Sequence, residues 1–137
     1  MNATLDIDVD AQPARLPLDN VSMLSFQKLR VYQSSIEFLA FTIEVIEALP
    51  RGSAELADQL VRAAQSQPRN IAEGAGRQTA IDQARFYAHA RGSALEAAAA
   101  LDTMLVMKLL PERTHSRGME LLEGIVAMLT KMINRGR

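Results

Sequence analysis

Ser53–Arg77 reads SAELADQLVRAAQSQPRNIAEGAGR, and two interleaved periodicities in it decide the fold. Leu56, Leu60, Ala64, Gln67 and Ile71 recur at steps of three and four, which places them on one largely apolar face of a helix. Gln59, Ala63, Ser66, Asn70, Glu73 and Arg77 follow the same steps and make a polar face beside it. Ser53 suits the N-cap, and Glu55 stands in the first turn, where the helix dipole favours a carboxylate. Gly74 and Gly76 supply a stop. Pro68 lies inside, removing a backbone donor and crowding the turn before it, so a kink is predicted near Ala64 to Pro68.

The same period extends to both sides. A helix is predicted from about Ser25 to Leu49, with Leu29, Tyr32, Ile36, Leu39, Ile43 and Ile46 on one face. Phe38, Phe41, Val45 and Ala48 form a second stripe, and two stripes predict burial on two sides. Leu49-Pro-Arg-Gly52 ends that helix. Thr79-Ala-Ile-Asp82 resembles a capping box and opens a third helix, predicted to end near Leu109 or Leu110. Its middle, GSALEAAAALDTML, is small on almost every side. Pro111 suits the first turn of a fourth helix, whose apolar face is Met119, Leu122, Ile125, Val126, Leu129, Met132 and Ile133. Lys131 and Arg135 complement its C-terminal dipole. The expectation is an all-α antiparallel up-down-up-down four-helix bundle over 25–137. Residues 1–24, broken by Pro13 and Pro17, read as an acidic, mostly irregular arm whose end, Val21, Met23 and Leu24, packs on the bundle.

With 137 residues, no cysteine and 48% hydrophobic but only 4% aromatic side chains, the chain suits one helical domain with a core of small and unbranched residues. The lack of cysteine excludes disulfides, thiol chemistry and thiolate metal sites, and fits a cytoplasmic protein. No apolar run approaches the roughly 18 residues of a membrane span, and the acidic N-terminus does not read as a signal peptide. The net charge of −1 is uneven. Asp6, Asp8, Asp10 and Asp19 outweigh Arg15, whereas Arg62, Arg69, Arg77, Arg85 and Arg91 outweigh Glu73 and Asp82.

On the third helix Arg85, His89, Gly92, Ser93 and Glu96 cluster along one side. Packed against the polar face of the second helix, this side predicts a seam, with Glu73 or Glu96 reaching an arginine and Asn70 bonding across. Three readings stay open. The stripes are solvated faces with ordinary ion pairs, a buried network fixing register or subunit contacts, or a surface that contacts a ligand or nucleic acid. No metal, cofactor or catalytic role is assigned. His89 and His115 lack metal-ligand spacing, Gly74-Ala-Gly76 lacks the strand and the Gly-Lys-Ser/Thr of a phosphate loop, and Ser66 and Ser93 lack a base in a plausible triad order.

The run RAAQSQPRNIAEG from Arg62 to Gly74, then Arg77, then ARGSALEA from Ala90 to Ala97, resembles the signature of the 23S rRNA intervening-sequence protein family. Gln59, Arg62, Ala63, Ala64, Ser66, Asn70, Ile71, Ala72, Glu73, Gly74, Arg77, Phe86, Gly92, Ser93 and Glu96 stand at matching positions, with Phe26, Leu29, Tyr32, Leu49 and Pro50 upstream. Gln67 departs from the family's usual Ile or Val, and the acidic arm lies outside the pattern. The resemblance covers roughly residues 25–135. It implies a four-helix bundle assembled as a ring, commonly a pentamer, without established catalytic residues. Its first members come from insertions in 23S rRNA genes, and relatives accompany reverse transcriptases of diversity-generating retroelements. The expectation is a non-enzymatic homo-oligomer that presents Arg62, Arg69, Arg77, Arg85 and Arg91 to RNA, single-stranded DNA or a nucleic-acid-processing partner, because the guanidinium fork holds phosphate bidentately. The alternative is a protein-interaction or scaffold module in which those arginines pair with carboxylates inside the assembly.

Overall fold

The computed structural model describes residues 24–135. They form four helices, α1 (Arg30–Glu47), α2 (Ala54–Ala75), α3 (Ala80–Val106) and α4 (Glu112–Arg135), after one 3-10 turn at Ser25–Lys28. Among the described residues there is no strand, as the uninterrupted helical period predicts. The acidic arm lies outside the described residues except for Leu24, which is exposed. No helix among the described residues is long and apolar enough to cross a membrane.

α1 packs on α2 and α4, and α3 packs on the same two helices, while the backbones of α1 and α3 do not approach each other. Phe38 and Val45 from α1, Leu60 and Ile71 from α2, Leu101 and Met104 from α3, and Leu122, Ile125 and Leu129 from α4 fill the core. Burying each such side chain is worth roughly 1.5–3 kcal/mol. The inner face of α3 is mainly alanine, with Ala90, Ala94 and Ala97 fully buried, so its neighbours lie close to its backbone. Gly118 plays the matching part on α4. A methyl group there would stand 2.7 Å from Leu101 Cδ1 and 2.8 Å from Phe41 Cε1.

Of the two stripes on α1, the one with Phe38, Phe41 and Val45 faces the core, joined by Val31, Ser35 and Thr42. From the other stripe Leu29, Tyr32, Leu39 and Ile46 pack at the edge of the core. Ile43 is 39% exposed.

Three local expectations are corrected. Residues 25–29 do not begin α1. Leu29 is extended (φ −67°, ψ 128°), and the 3-10 turn before it is held by Leu24 N–H on Gln27 Oε1 (2.8 Å) and Gln33 Nε2 on the Gln27 carbonyl (3.0 Å). Phe26 packs edge-on against Tyr32, with centroids 4.9 Å apart, which fixes the folded-back turn. Ser53 holds the N-cap position but its side chain makes no capping bond and is buried instead. α2 runs through the buried Pro68 and ends at Ala75 with Gly76 as its C-cap, at the predicted stop. In the turn before Pro68 the Gln67 amide adds a bond to the Ala63 carbonyl (3.2 Å). α3 ends at Val106, short of Leu109, because Lys108 turns left-handed (φ 60°) and Leu109 N–H closes on the Met104 carbonyl at 2.8 Å. That reversal leads Leu110 back into the core. Pro111 then sits one residue before α4, its carbonyl accepting from His115 N–H. Thr79 caps α3 as its sequence predicts, accepting from Asp82 N–H at 3.1 Å.

A candidate interaction surface between the second and third helices

The polar stripe of α2 meets α3 along one seam. Near its middle Ser66 Oγ and Ser93 Oγ lie 2.7 Å apart. Asn70 Nδ2 donates to Ser66 Oγ and to the Ser66 carbonyl, both at 2.9 Å, and Ser93 Oγ donates to the His89 carbonyl at 3.2 Å. Either hydroxyl can donate between the serines. The bond that crosses the seam is therefore Ser66–Ser93. Asn70, expected to cross, stays on its own helix and orients Ser66.

At one end of the seam Gly74 is buried beneath Tyr87. A methyl group on it would stand 2.7 Å from Tyr87 Cε1 and 2.9 Å from Cδ1. Burial raises the Tyr87 phenol above its ordinary pKa of 10.0. Beside it Arg77 pairs with Glu73 and approaches Asp82 (3.6 Å), while Arg85 pairs with Asp82 at 2.9 Å. Both guanidinium groups lie over the Phe86 ring, 4.5 and 4.7 Å from its centroid. Phe86 thus gathers two of the five arginines into an intramolecular cluster of both charge signs.

Towards the other end the seam opens into a groove of about 600 Å³, lined by Gln59, Arg62, Ala63, Ser66, Arg69 and Ser93 with Glu96 opposite. Arg62 is exposed and pairs with Asp58 at 3.0 Å. Arg69 is exposed and makes no ion pair among the described residues. A shallower recess continues past Asn70, Phe86, His89 and Gly92. At Gly92 an added methyl group would meet nothing within 4 Å. Arg91 leaves this surface altogether: its Nε donates to Thr130 Oγ1 on α4 at 2.9 Å.

The five arginines therefore divide. Arg62 and Arg69 line the groove, Arg77 and Arg85 flank Phe86, and Arg91 ties α3 to α4. Gln59, Ser66, Asn70, Gly92, Ser93 and Glu96 lie together along the groove and its recess, while Glu73 and Gly74 belong to the Phe86 end. Sequence reasoning did not single out Asp82 and Phe86 as the anchors of Arg77 and Arg85. The spacing of Asp82 and Arg85, three residues apart on a helix, carried that signal. His115, on α4, bonds Asp102 Oδ1 at 2.7 Å, away from the seam. Among the described residues no three His, Asp or Glu side chains are grouped to hold a metal ion.

The packing of α1 to α4 and the polar seam define an all-α protein of four helices. The 23S rRNA-intervening sequence protein family matches residues 27–131, and the chain belongs to that family. That match runs from the 3-10 turn into the last turns of α4 and contains the whole seam. Comparison with curated proteins gives no match.

Proposed function

We propose that this chain is a non-enzymatic, homo-oligomeric bundle of up-down-up-down topology, serving as a scaffold through assembled copies of itself. The topology is supported by the order of cross-helix pairs. Ser66 meets Ser93 while Gly74 meets Tyr87, and Asp102 meets His115 while Arg91 meets Thr130. Along both seams residue numbers fall on one helix as they rise on the next, with connections of only a few residues. The observation that carries the scaffold reading is the state of the arginines. Arg62, Arg77 and Arg85 pair with carboxylates within the chain, and Arg91 is bonded to Thr130. Family membership supports a ring, with five copies the number it implies, and a cytoplasmic setting fits the cysteine-free sequence. Light scattering on the full chain is expected to return a mass several times the 15.0 kDa of one copy. A mass of 15.0 kDa at working concentration overturns the reading.

Arg69, exposed and free of ion pairs among the described residues, favours a second reading, in which Arg62 and Arg69 hold the phosphates of RNA or single-stranded DNA. It predicts affinity that falls steeply with salt and drops further in Arg62→Ala/Arg69→Ala. Absence of binding at low salt disposes of it.

A further inference from the structure

We propose that the α2–α3 groove seats α1 of a second copy of this chain. This rests on the oligomeric reading above and names the two surfaces that meet.

α1 offers one of them. Ile36, Ala40 and Ile43 follow steps of four and three on the side away from the buried Phe38, Thr42 and Val45. Ile36 and Ala40 are half-buried without packing on the core, and Ile43 is 39% exposed. An outward apolar ridge of this spacing is the geometry one helix presents to another. Its charged neighbours are acidic, with Glu44 and Glu47 both exposed.

The groove offers the other. Arg62 and Arg69 stand on its α2 side, Glu96 on its α3 side, and Ala63, Ala99 and Ala100 line it. Beside the groove along α3, Ala88, Gly92, Leu95 and Ala99 are all exposed at steps of four, three and four, a ridge of the same period that its own chain leaves uncovered. Leu95 is 48% exposed. A glycine inside a helix costs about 1 kcal/mol relative to alanine. Nothing within 4 Å of Gly92 in its own chain requires that sacrifice, whereas a helix laid close against α3 does.

Charge selects the occupant. Arg69 lacks an ion pair among the described residues, and the Arg62–Asp58 pair is exposed on both sides, so its exchange for another carboxylate is nearly neutral. The exposed Glu44 and Glu47 supply that charge beside an apolar ridge, a combination that a phosphate backbone lacks. Because the backbones of α1 and α3 stay apart within a protomer, each copy presents both surfaces at once. Two unlike surfaces joined head to tail give a ring when the rotation closes.

The test uses the full chain in light scattering, with circular dichroism to confirm helicity. Arg62→Glu/Arg69→Glu and Glu44→Lys/Glu47→Lys are each expected to bring the mass down towards one copy. The four substitutions together should restore it, since the charges are exchanged across the contact. Gly92→Leu should lower the mass as well, without lowering helicity. If both charge-reversed chains and Gly92→Leu keep the native mass, the groove is not the interface, although the oligomer stands. Dissociation without restoration in the combined chain overturns α1 as the occupant. A native chain that is already a single copy overturns the oligomeric reading itself, a result distinct from either.

Discussion

Gly74 and Gly92 are both helical glycines on the polar side of the α2–α3 pair, and their surroundings give them opposite roles. A Cβ at Gly74 would collide with the Tyr87 ring and stand 3.1 Å from Phe86 Cβ, so with any other residue there either the ring or the helix spacing must give. Gly74→Ala is expected to lower stability by about 1–3 kcal/mol, the usual effect of overpacking, read as a lower melting temperature. An unchanged melting temperature would show that the aromatic ring yields freely. In the sequence Gly74 reads as a helix stop, and nothing in its spacing distinguishes a stop from a point of close approach. The distinction needs Tyr87, thirteen residues on, to lie across it. Ser66 and Ser93 show the same limit. Their stripe was legible, but which of Ser66 and Asn70 crosses the seam depends on distances of a few tenths of an ångström.

Along α2 the apolar period places Leu60, Ala64, Gln67 and Ile71 on one face, and all four are buried. Gln67 is the odd member. It is fully buried, its Nε2 is bonded to the Ala63 carbonyl, and its Oε1 has no partner. An unsatisfied buried acceptor costs about 1–3 kcal/mol. Gln67→Met keeps the volume and removes that acceptor, so the urea midpoint should rise by an amount worth about 1 kcal/mol, with the m-value unchanged. A lower midpoint would mean that the amide stabilises α2 across Pro68 more than its lone oxygen destabilises it. The period revealed that Gln67 faces the core and that α2 runs on through Pro68, but not that Gln67 Nε2 would bond back to the Ala63 carbonyl. Propensity argues for a break at proline, and the packing of α2 against both α1 and α3 overrides it.

For the molecule as a whole, burial of Tyr87 sets a pH dependence at the alkaline end. Its folded pKa lies above the ordinary 10.0, so between those two values the unfolded chain has released a proton that the folded chain keeps. The stability tied to this group is fully present below pH 10 and is lost as pH rises through the folded pKa. The melting temperature should fall more steeply above pH 10 in the native chain than in Tyr87→Phe. Parallel curves would remove Tyr87 as the cause. The sequence by itself determined the number of helices, their apolar faces, the Thr79 cap and the family signature, because each is written in residues within a few turns of one another. Tertiary structure alone decided how the arginines are partnered, which α1 stripe turns inward and where Leu29 and Lys108 interrupt the helices. Those outcomes depend on the rotation and closeness of helices distant in sequence, which a period of 3.6 residues leaves undetermined.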